Sequence, residues 1–109
     1  MIQVINIKAG IPDFTAAVYI GRQMLSRPAS PLASPINIKR ESERQDVLLM
    51  YRKWLEEQMQ ADTPSRKEIE RLAIITSRGD LLLLCWCAPK ACHGEVVKEF
   101  VERIVRHKP

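Results

Sequence analysis

The order of apolar and polar positions divides the chain into six elements. Residues 2–7, IQVINI, are rich in β-branched side chains and alternate, which predicts a strand stopped by Gly10 and Pro12. A second apolar run, AAVYIG at 16–21, predicts another strand, with Arg22 directly after it. Residues 26–36, SRPASPLASPI, interleave three prolines with three serines, a density that no helix or central strand tolerates, so they form a loop. From residue 42 the period changes. Leu48, Tyr51, Leu55 and Met59 recur at helical spacing, Val47 and Trp54 widen the stripe, and Ser42 with Gln45 spells a capping box. This helix is expected to end near Gln60. A second helix over 66–75 buries Ile69, Leu72 and Ala73 behind another capping pair, Ser65 and Glu68.

After the turn at 77–80, LLLLCWC shows no polar alternation, as expected of a strand covered on both faces. Residues 81–87 are therefore expected at the centre of a sheet, flanked by the helices at 42–60 and 92–107; in a purely structural reading of its end, Trp86 packs on the opposite helix layer. The last helix begins near Cys92 and presents Val97, Phe100, Val101, Ile104 and Val105 as its stripe, with Arg103, Arg106 and Lys108 in its final turns. Together these elements predict one α/β domain over residues 1–109, a small sandwich with a partly parallel sheet flanked by helices.

Composition adds limits. The 46% hydrophobic and 28% charged content is that of an ordinary globular chain. No apolar run approaches the ~20 residues that cross a bilayer. The first ten residues lack the features of a signal peptide, so a cytoplasmic protein without membrane contact is expected. The net charge of +4 permits phosphate contacts, but the basic residues are scattered among acids, as in KRESERQD, which argues against a nucleic-acid surface.

The candidate chemistry is concentrated in residues 85–94, CWCAPKACHG, which hold all three cysteines and one of the two histidines. Cys85, Cys87, Cys92 and His93 form a normal zinc complement, although C-x-C and adjacent C-H spacings are unlike the usual C-x2-C knuckle. Alternatively, Cys92, His93 and Gly94 open the final helix, where unpaired N–H groups and the helix dipole favour an anion and lower a thiol pKa. Arg22, Ser30 and Ser34 would join them if two parallel strands end at one edge. A purely structural role is also open, because cysteine packs as a small hydrophobe.

YIGR, SPLASPI, YRKWL and CWCAPKACHG, taken in order, resemble the family called domain of unknown function 4326, small proteins of bacteria and phages. Within the proline loop, whose pattern in that family reads SPLGNPF, this chain has Ala33, Ser34 and Ile36 in place of the glycine, asparagine and aromatic residue. The resemblance implies a compact α/β domain and supplies no activity. The leading expectation is a module binding a phosphate-bearing small molecule or nucleotide through Arg22, Ser30, Ser34, Cys92, His93 and Gly94. If it catalyses a reaction, Cys92 is the candidate nucleophile and His93 the proton acceptor. The alternative is a zinc-stapled or structural interaction module using Cys85, Cys87, Cys92 and His93, with YRKWL and the basic helix end as its partner surface.

Overall fold

A computed structural model of the chain describes residues 1–9, 16–22, 29–35, 41–86 and 93–106. Among these, β1 (Ile2–Asn6), β2 (Ala16–Tyr19) and β3 (Leu81–Cys85) form one sheet in the order β1-β3-β2. Both pairings are parallel rather than mixed, and Leu81 stands opposite Ile2 on one side and Ala16 on the other. Ile20 extends the second pairing by donating its N–H to Leu84 O at 3.1 Å. All five residues of β3 are buried, which is what a leucine run without polar alternation requires of a central strand. Leu81, Leu83 and Cys85 enter the main core with Ile2 and Ile20, while Leu82 and Leu84, also buried, point to the opposite face.

Three helices complete the core: α1 (Arg44–Gln58), α2 (Pro64–Ser77) and α3 (His93–Arg106). Tyr51 and Leu55, then Ile69, Leu72 and Ala73, then Val96, Val97, Phe100 and Val101 join one cluster with the sheet. Val47, not Leu48, completes the buried row of α1, one turn before Tyr51. On α3, Ile104 only borders the core and Val105 lies at the surface. The outer faces of α1 and α3 are joined by ion pairs from Arg52 to Glu99 and from Arg103 to Glu56, and Arg103 also pairs with Glu99 within α3. None of the described helices is long and apolar enough to cross a membrane.

Both expected capping boxes are absent. A 3-10 turn over Glu41–Glu43 leads into α1, and the N-cap, Glu43, makes no side-chain capping bond. Ser42 and Gln45 are exposed. For α2 the cap is Thr63, whose Oγ1 accepts the N–H of Arg66 at 3.1 Å and donates to Gln58 O at 2.9 Å. Pro64 fixes the first helical φ, so the cap falls two residues before Ser65. Trp86 likewise departs from expectation. It lies just past β3, 43% exposed, with Lys8 Nζ 5.4 Å from its ring centroid and its carbonyl accepting from Asn6 Nδ2. The strand has ended there, and the indole is left partly exposed.

Candidate functional site

Because the three strands are parallel, their carboxyl ends lie along one edge. Beyond β2 the chain runs Ile20-Gly21-Arg22, with the first two residues buried. Tyr19 folds back over this segment and donates its hydroxyl to Arg22 O at 2.6 Å. Gly21 makes that possible, since a Cβ there would lie 2.6 Å from Tyr19 Cζ. Arg22 then crosses to the proline loop, donating from both Nε and Nη2 to Ser34 O at 3.2 Å.

The loop's backbone finds partners on both sides of Leu32, the one buried residue among those described in it. Ser30 N–H donates to Gly21 O at 2.9 Å, and Ser30 Oγ accepts from Leu32 N at 3.0 Å, closing a serine turn. Leu32 plugs into the core with no exposed surface. The two carbonyls at its tip are held from two helices. Ser65 Oγ of α2 donates to Pro31 O, and Tyr51 Oη of α1 donates to Leu32 O, both at 2.7 Å. Ser65 is thus a loop anchor, not a cap.

The start of α3 reaches the same edge. His93 Nε2 lies 2.8 Å from Ile20 O, and the imidazole meets the Tyr51 ring edge-on at 5.2 Å and 72°. A carbonyl only accepts, so Nε2 carries the hydrogen and, in the neutral ring, Nδ1 carries the lone pair. Burial pushes the His93 pKa below its usual value, the bond to Ile20 opposes that in part, and the charge of Arg22 adds to the lowering. The ring is therefore neutral at pH 7. Next to it, Gly94 is buried in the first turn of this 14-residue helix, the end at which the helix dipole favours negative charge.

The structure thus gathers Arg22, Ser30, Ser34, His93 and Gly94 at one edge. Cys87 and Cys92 lie outside the described residues. Of the four candidate metal ligands, Cys85 is buried in the core and His93 has Nε2 engaged by Ile20. Among the described residues no group of three or more histidine, cysteine or carboxylate side chains is placed to hold a metal ion. Within YRKWL, Tyr51 and Leu55 belong to the core, Arg52 pairs with Glu99, Trp54 is half-buried and Lys53 is exposed. Sequence pattern does not mark Tyr19, Gly21, Tyr51 or Ser65: Tyr51 and Ser65 act on loop carbonyls distant in sequence, and Tyr19 and Gly21 through a short-range fold-back of the ring that residue spacing does not encode.

Residues 5–103 match the family model described as Domain of unknown function (DUF4326), and the chain belongs to that family. The matched span contains every residue of the edge just described. No curated protein and no solved structure gives a significant match to the chain.

Proposed function

We propose that the carboxyl edge of the sheet binds a phosphate-bearing small molecule or nucleotide, with the anion at the start of α3. One observation carries this reading: the end of β2, the proline loop and the first turn of α3 meet at the edge where open parallel sheets bind ligands. Arg22 supplies positive charge, and the first-turn N–H groups of α3 supply donors from a second direction. Gly94 keeps that turn free of side-chain bulk. Ser30 and Ser34 offer hydroxyls from the loop, and Cys92 adjoins the helix start.

Neutral His93 refines its own part. With Nε2–H committed to Ile20, the ring meets a ligand as an acceptor at Nδ1, suited to a hydroxyl or a protonated phosphate oxygen. A thermal-shift screen of nucleotides, phosphorylated sugars and inorganic phosphate tests the reading. A ligand at a hundred times its Kd stabilises by ~2.7 kcal/mol, and at about 4 °C per kcal/mol for this size that is roughly 10 °C. Arg22→Ala and His93→Ala should each shrink the shift. If no phosphate compound raises the melting temperature of the wild-type protein, the edge does not bind such ligands.

A further inference from the structure

A cavity of about 230 Å³ opens beside this edge, walled by Val18 and Tyr19 of β2, residues 29–31 of the loop, and Glu68 and Arg71 of α2. It shares Ser30 with the candidate site and adjoins it through Tyr19. Tyr19 lines the cavity and donates its hydroxyl to Arg22 O, while Ser30 lines it and donates its N–H to Gly21 O. The wall opposite β2 carries charge. Arg71 Nε and Nη2 donate to the two oxygens of Glu68 at 2.6 and 2.7 Å, a bidentate pair that fixes the carboxylate. The Glu68 side chain is only 13% exposed, against 53% for Arg71. Each carboxylate oxygen takes one bond from Arg71 and has a second lone pair, so an oriented and largely desolvated acceptor stands across the cavity from Val18 and Tyr19. Small-molecule sites combine such apolar walls with a few fixed polar groups.

We propose that this cavity holds the organic part of the phosphorylated ligand, and that Glu68 accepts hydrogen bonds from its hydroxyl or amino groups. The inference rests on the phosphate-site reading and names the ligand class: a sugar phosphate or nucleoside monophosphate rather than phosphate alone. Arg71 acts as a positioning residue, holding the carboxylate in place.

The test compares inorganic phosphate, ribose 5-phosphate and adenosine monophosphate by titration calorimetry on the full chain. At least one organic phosphate should bind tighter than inorganic phosphate, and whichever it is shows whether sugar or base is the recognised part. Glu68→Gln should weaken that ligand by about tenfold or more, the loss of a hydrogen bond to a charged group, and leave inorganic phosphate unchanged. Ala29→Leu, at an exposed loop position that lines the cavity, narrows it while leaving both partners of the Glu68–Arg71 pair in the sequence and should have the same selective effect. Equal binding of all three probes overturns the proposal, as does a preference for the organic ligands that both variants retain. If none of the three binds, the phosphate-site reading falls with it, an outcome distinct from phosphate binding without discrimination.

Discussion

Two tyrosines in this chain donate their hydroxyls to backbone carbonyls, and Tyr→Phe should cost very different amounts at the two. Tyr51 Oη donates to Leu32 O at 2.7 Å, and neither residue has any exposed surface. In Tyr51→Phe that carbonyl is left in a place water cannot reach, which costs about 1–3 kcal/mol. At about 4 °C per kcal/mol, the melting temperature should fall by roughly 4–12 °C. Tyr19 Oη donates to Arg22 O at 2.6 Å, but Tyr19 is half-buried and Arg22 exposed. Water can replace the lost donor there, so Tyr19→Phe should cost only about 0.5–1 kcal/mol. Urea denaturation of both variants gives the comparison, with unchanged m-values confirming that the unfolded states are alike. Amide exchange of residues 29–35 should rise in Tyr51→Phe, because the loop tip has lost one of its two helix anchors. Equal losses in the two variants, or a Tyr51→Phe loss below about 0.5 kcal/mol, would refute the claim that the loop is fastened through a buried carbonyl.

Three further outcomes follow from the same geometry. Gly21→Ala drives a methyl into the Tyr19 ring and should cost about 1–3 kcal/mol through overpacking, readable by the same denaturation. Because the folded-state pKa of His93 is lowered, the unfolded chain takes up that proton first, so stability should decline as pH falls below about 6.5 until the folded pKa is reached. His93→Gln should flatten that slope in denaturation series between about pH 7.5 and 5.5, and an unchanged slope would remove His93 as its source. Protein purified without chelator should carry less than one equivalent of zinc by elemental analysis, and a full equivalent lost in Cys85→Ser would favour the zinc-stapled module.

The sheet was legible because its signals are local. Four consecutive leucines announce a strand buried on both faces, and β-branched or apolar runs mark its two neighbours. The helix stripes were legible for the same reason, with Tyr51, Leu55, Ile69, Leu72, Val97, Phe100 and Val101 all reaching the core. Helix starts are less legible, because local signals compete there. Thr63 followed by proline outweighs the Ser65–Glu68 box, since the proline fixes φ at the first helical position and Ser65 has a partner in the loop. Trp86 departs from the strand pattern because β3 stops at Cys85, one residue before it. The site was legible only as a list of residues. That Arg22 and His93 share an edge follows from parallel pairing, whereas their particular partners, Ser34 O and Ile20 O, depend on tertiary distances that spacing does not encode.

The most direct test of the central claim is to add the best phosphate ligand from the screen to isotope-labelled protein and follow the backbone amide resonances. The account predicts saturable shifts concentrated at His93, Gly94 and Glu95, with Gly21, Arg22 and Ser30 moving alongside them. Shifts confined to the opposite end of the sheet, around Ile2, Ala16 and Leu81, would contradict it, as would no saturable shift with any phosphate compound.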